Sequence, residues 1–217
     1  MKAPIFGRPI PLVRCRRSDV TVPAEAEIVL EGVIKADEVV DEGPFVDLTG
    51  TYDIVRKQPV IQLNGMMRRR DAIYQAILPG GAEHKLLMGM PKEARMYDAV
   101  SRAVPDVRGV RLTLGGACWF HAVVSIRKQA EGDGKNAILA ALGANPSVKH
   151  VVVVDEDINI DDMAEVEWAV ATRFQGDTGI IKIKRARGSS LDPSSDQERI
   201  LTAKLGFDAT VPWGKPR

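Results

Sequence analysis

Three groups of residues have the types and spacing to do chemistry. Cys118 and His121, with Cys15, His84 and His150, carry the soft and imidazole donors of this sequence. Inside a strand, positions three apart point to opposite faces, so Cys118 and His121 would not chelate one ion together. His150 opens an apolar run and reads as a structural histidine. Glu27 and Glu31 form a carboxylate pair on one strand face, but roughly 13 Å apart, wider than an inverting glycosidase needs. A polar sheet face or partner salt bridges account for them more simply. The third group is Asp155-Glu156-Asp157, followed by Asp161 and Asp162. Carboxylates at the C-terminal end of a parallel strand are where α/β proteins place ligands, and carboxylates just before a helix are favoured by its dipole. The structural reading carries more weight, and the glycine and terminal glutamate of an EF-hand are missing.

Gly132-Asp133-Gly134-Lys135 adds an anion-binding possibility. Backbone amides at a helix start, with a lysine, can cradle phosphate, and a plain glycine turn explains the same residues. The spacing is not that of a P-loop, and GxSxG, CxxC and GxGxxG are absent.

The elements that would position these groups differ along the chain. Residues up to about 78 read as strands. Ala26–Ile34 alternates, Lys35–Glu38 reads as a hairpin turn with Val39-Val40 returning, and further strands are expected over 59–63 and 71–77. Glu42-Gly43-Pro44-Phe45 is loop chemistry, and Leu78-Pro79-Gly80-Gly81-Ala82 marks a boundary. Beyond it helices and strands alternate. A helix opens with Pro91 at its first position and stops before Pro105. A strand runs from Val110 past Gly115-Gly116 to Ile126. Asp133 caps a helix stopped by Gly143, His150–Asp155 is a strand covered on both faces, Asp162 and Glu165 form a capping box before a helix to about Phe174, and Gly179–Lys184 is a strand. An amphipathic helix is expected over Ser195–Leu205. The fold class is therefore α/β: a β-rich front (1–78), a Rossmann-like three-layer domain with parallel strands (79–194), and a C-terminal helix and tail (195–217).

Bulk properties exclude several classes. With 30 basic and 29 acidic residues, net charge +1, no global field draws the chain to nucleic acid or membrane. Arg16-Arg17 and Arg68-Arg69-Arg70 are too short for a nucleic-acid patch. The start, MKAPIFGRPIPL, lacks the apolar core of a signal peptide, and no run is long enough to span a bilayer. Two cysteines about a hundred positions apart, with no secretory signal, read as reduced thiols of a cytoplasmic protein.

Longer segments carry a resemblance. CRRSDVTVPAEAEIVLEG (Cys15–Gly32), EGPFVDLTGTY (Glu42–Tyr52), RRRDAIYQAIL (Arg68–Leu78), VVVVDEDINIDDMAEVEWAVATR (Val151–Arg173), GSSLDPSS (Gly188–Ser195) and AKLGFDAT (Ala203–Thr210) follow one another in the order seen in UbiD-type decarboxylases. The chain resembles the C-terminal half of that family, which implies that 1–78 is the remnant of a split β-barrel-like region facing the cofactor and that the helix and tail over 195–217 serve oligomerisation. The resemblance implies non-oxidative, reversible decarboxylation of an aromatic or α,β-unsaturated acid. It implies prenylated FMN as electron sink, with a divalent metal such as manganese and potassium at the phosphate. It assigns the proton donor to Asp19, whose pKa burial or a second carboxylate would have to raise. It places a flavin-phosphate contact at Lys135, with Lys128 competing. The family's metal ligands lie upstream, so no metal ligand is assigned here and the cofactor is expected only in a complex with a separate N-terminal-half chain. Homo-oligomers are also implied. Val46, Leu48 and Thr51 depart from the family's glycine, histidine and glycine. The alternative is a non-catalytic assembly or regulatory module, and a third reading is a small-molecule binder above Asp155–Asp157.

Overall fold

The computed structural model describes Gly7 and residues 9–215. Most of the segment read above for a signal peptide lies outside the described residues, as do the last two residues of the tail. The chain forms two compact units, Met1–Phe45 with Ile54–Ile77, and Val46–Asp53 with Leu78–Arg217.

The first unit is two antiparallel pairs: β1 (Leu12–Arg14) with β2 (Thr21–Pro23), and β3 (Ile28–Glu42) with β4 (Arg56–Arg68). The hairpin turn expected at Lys35–Glu38 does not form. Those residues include no glycine or asparagine to take up a left-handed turn, so β3 runs straight through them. The ladder skips them instead, with a register shift between Ile34 and Val39 and a 3.5 Å Lys35–Glu38 ion pair. Nor is 71–77 a strand: its residues are unpaired in any ladder, and the Ile73 amide donates to Glu27 Oε2 at 3.1 Å. Residues paired across an antiparallel ladder share a face. The β3–β4 face carrying Leu30, Ile34, Ile61, Leu63 and Met66 is open, each of these being more than half exposed.

The second unit is a mixed five-stranded sheet, order β5-β6-β7-β9-β8, from β5 (Val107–Leu112), β6 (His121–Ile126), β7 (His150–Asp155), β8 (Ile180–Arg187) and β9 (Leu201–Asp208). The α/β class holds, but the sheet is not wholly parallel. β6, β7 and β9 are parallel neighbours, while β5 and β8 pair antiparallel at the edges. The strand expected through Gly115-Gly116 is broken by a turn in which Ala117 (φ 58°) and Cys118 (φ 50°) are left-handed, so β5 and β6 become a hairpin.

Three helices complete the layers: α1 (Ala82–Ala103), α2 (Asp133–Ala144) and α3 (Met163–Arg173). Met96 and Val100 of α1 and Ile138 and Ala141 of α2 pack with Val124, Val151 and Val153 on one sheet face. Val166 and Ala169 of α3 pack with Val123, Val152 and Val154 on the other. The unbroken valine run of β7 is thus buried on both sides.

α1 starts nine residues before Pro91, because Ala82–Met90 is rich in strong helix formers. Pro91 sits inside it and withholds the amide that Leu87 would otherwise receive. Gly143 lies within α2 rather than stopping it. The tail corrects the expectation most. Ser195–Ile200 is turns, and 201–208 is the strand β9 where a helix was expected. Its buried face carries Thr202, Lys204 and Gly206, so the period of two is invisible in an apolar pattern.

Candidate active site

Asp19 sits at the tip of the β1–β2 hairpin, which is closed by Leu12↔Pro23, Arg14↔Thr21 and a Cys15 N–H to Val20 carbonyl bond of 2.9 Å. The tip is anchored by Glu31. That carboxylate accepts from the Arg16 amide (3.1 Å), the Arg17 amide (2.9 Å) and the Ser18 hydroxyl (3.2 Å). Gly65, opposite Glu31 in the ladder, leaves room for the loop: a side chain there would stand 3.0 Å from Arg17 Cγ. Burial pushes the Glu31 carboxyl up, but the Arg17, Arg16 and Ser18 bonds outweigh it and hold it below its usual value. Glu31 is therefore an anchoring anion rather than a proton donor.

Asp19 itself faces outward. Its carboxylate is 93% exposed and is met by Arg14 Nη1 at 3.2 Å. Glu27 does separate work, pairing with Arg69 at 3.6 Å and accepting the Ile73 amide. The two glutamates hold different segments and do not form a catalytic pair.

At the C-terminal ends of β6 and β7 the acidic run is held by cations. Asp155, 1% exposed, accepts from Arg173 Nη1 at 3.2 Å and from the Val211 amide at 2.7 Å. Arg173 also forks onto Asp157 at 2.9 and 2.7 Å. Glu156 pairs with Arg108 at 3.1 Å, Arg111 bridges Asp161 and Glu93, and Asp162 caps α3 through the Ala164 amide. Glu165 turns to the Asn159 amide instead of closing the capping box. This cluster ties β7 to α3 and the tail.

The two lysines are placed differently. Lys128, its side chain 3% exposed, donates to the Val211 carbonyl at 3.3 Å and pairs with Glu131 at 3.3 Å. It lines a cavity of about 300 Å³ with Asp155 and Val211–Lys215. Lys135 is exposed on α2. Two protein carboxylates lie at the start of α2. Asp133 reaches back to the Gln129 and Ala130 amides (2.8 and 2.9 Å), leaving Gly132, with φ of 95°, as the N-cap. The Asp208 carboxylate lies against Gly134, where any side chain would overlap it. Among the described residues no three His, Cys, Asp or Glu side chains cluster so as to hold a metal ion. Cys15 and Cys118 are free, buried thiols.

Sequence reasoning missed Arg173, Asp208 and the anchoring role of Glu31, all of which act across long stretches of chain. Leu48, flagged as a lost histidine, is fully buried against Ala117 and Trp119.

Comparison with known proteins gives these features a family. Residues 2–82 match the 3-octaprenyl-4-hydroxybenzoate carboxy-lyase Rift-related domain, and residues 85–209 match the C-terminal domain of the same enzyme. An anhydromevalonate phosphate decarboxylase from Methanocaldococcus jannaschii is 60% identical over 193 residues, 89% of this chain and 46% of that protein. The UbiD-class enzyme HmfF from Pelotomaculum thermopropionicum, solved with FMN, superimposes with a TM-score of 0.91 at 46% identity, over 96% of this chain and 46% of that one. An evolved dimeric form of HmfF, solved with prFMN, gives 0.84 at 42% identity, over 97% and 46%. The chain spans about half the length of these relatives. It belongs to the UbiD family of decarboxylases.

Proposed function

We propose that this chain is the C-terminal part of a UbiD-type decarboxylase that works with the family's N-terminal half on an α,β-unsaturated acid bearing a phosphate. The observation that carries this reading is the open β3–β4 face, where Leu30, Ile34, Ile61, Leu63 and Met66 are 57, 58, 58, 59 and 65% exposed on a face that has the alternation of a buried one. Isolated exposed leucines are ordinary, but a contiguous apolar face marks an interface. The substrate class follows the name shared by archaeal relatives at 48 to 60% identity, anhydromevalonate phosphate decarboxylase. That name denotes a dehydrated, hence unsaturated, phosphorylated acid.

When bound, prenylated FMN supplies an electron sink as carbon dioxide departs. The residues of this chain do the rest. Asp19 delivers a proton to the carbon that loses carbon dioxide, its exposed carboxylate becoming enclosed when the N-terminal half covers the hairpin tip. Glu31 fixes the loop carrying Asp19. Lys128 offers a charge to the flavin phosphate from the cavity at the sheet end. The exposed Lys135 would contribute only from the outer side of α2. The working form is a cytoplasmic hetero-complex that can assemble further into oligomers. The test is Asp19→Asn in the reconstituted complex. Turnover should fall roughly 100-fold or more while flavin binding persists. Unchanged turnover removes Asp19 from the reaction and leaves the family assignment intact.

A further inference from the structure

A second cavity, of about 610 Å³, lies in the second unit at the opposite end of the sheet from the Lys128 cavity. Its wall is formed by α1, the turn between β5 and β6, the residues following α2, and the segment leaving β8. Among the described residues three cations line it, Lys92, Arg95 and Arg187, and no carboxylate does. Lys92 lies 2.7 Å above the centroid of the Trp119 ring, and the indole N–H is held by the buried Ser189 hydroxyl at 3.0 Å. Ser189 in turn accepts the Leu191 amide at 3.2 Å, so the aromatic floor is fixed by the backbone of the wall.

We infer that this cavity is a binding site for a small, multiply charged phosphate compound, a phosphate ester or a diphosphate. Three unit charges gathered without a counter-anion repel one another and are unfavourable unless an anion joins them. α2 ends at Ala144 on the same wall, but its C-terminal dipole amounts to about half a negative charge. Three full cations outweigh it. Two guanidiniums favour an acceptor with several oxygens that can be forked, which phosphate offers. The indole ring holds the Lys92 ammonium at the wall through a cation–π contact. Burial, reinforced by the Arg95 charge, pushes the Lys92 ammonium down to about 8. The site uses none of the residues placed in the decarboxylation.

Titration calorimetry of the full chain with pyrophosphate at physiological ionic strength tests the assignment. Saturable one-to-one binding is expected. Arg95→Ala and Arg187→Ala, both exposed positions whose loss leaves the core intact, should each weaken it roughly tenfold or more. Arg102→Ala, on the same helix but paired outward with Asp98 at 2.7 Å, should leave it unchanged. Absence of saturable binding would overturn the proposal. So would equal weakening by Arg102→Ala, which would mean general charge attraction, or equal affinity for citrate, which would mean no preference for phosphate.

Discussion

Single residues here divide into anchors and a reagent. Glu31 is the anchor of the hairpin tip, and its three bonds explain why a glutamate stands buried in an otherwise open ladder. Glu31→Gln should leave the second unit untouched and speed amide exchange at Arg16 and Arg17; unchanged exchange would show that the loop holds itself. Lys204 gives a second residue-scale prediction. Its Nζ donates to the Pro146 and Val148 carbonyls, both at 2.7 Å, and burial pushes its ammonium down to about 8. Between that value and the ordinary 10.5 the unfolded chain holds the proton more tightly. Stability should therefore rise with pH through that window. In Lys204→Met this contribution should vanish, although the variant is less stable overall because two carbonyls lose their donor. Urea unfolding at about pH 7.5 and about pH 9.5 reads the difference. Sequence marked Asp19, Lys128 and Lys135 through motifs. It could not show that the Asp208 carboxylate lies against Gly134 of α2, because the two are 74 positions apart.

Elements were legible where one physical signal dominated. The valine run of β7 and the Asp162 cap of α3 are formed as read. Misreadings came from conflicting signals. Pro91 imitated a helix start within a stretch of helix formers, and β9 hid its strand period behind a buried threonine, lysine and glycine. The motif segments owe much of their identity to packing between elements. In GSSLDPSS, Ser189 holds Trp119, while Asp192 pairs with Lys149 at 2.9 Å and accepts from Ser194 and Thr202. Gly206 lets β9 approach α2, since a side chain there would run into Ile138. Gly206→Ala should cost about 1–3 kcal/mol through overpacking. Ile138→Ala, fully buried, should cost about 2–5 kcal/mol through the cavity it leaves. Chemical denaturation measures both, and a neutral Gly206→Ala would mean that the sheet and α2 shift apart freely.

At the scale of the molecule the two units differ in completeness. The second has two buried cores sandwiching a five-stranded sheet. Among its described residues the first buries little beyond Cys15 and Glu31, and it leaves the apolar face of its β3–β4 ladder open. That difference was legible in the sequence only through resemblance, because an alternating strand predicts a covered face without naming what covers it. It also means that the hairpin bearing Asp19 is not enclosed by its own unit. The central claim is that this surface is completed by the family's N-terminal half to give a decarboxylase. Mixing the chain with that half and prenylated FMN, then measuring carbon dioxide release from anhydromevalonate phosphate, tests it most directly. Release should require both halves, with neither active alone. A complex that forms and binds flavin yet releases no carbon dioxide would contradict the account and leave the chain as an assembly module.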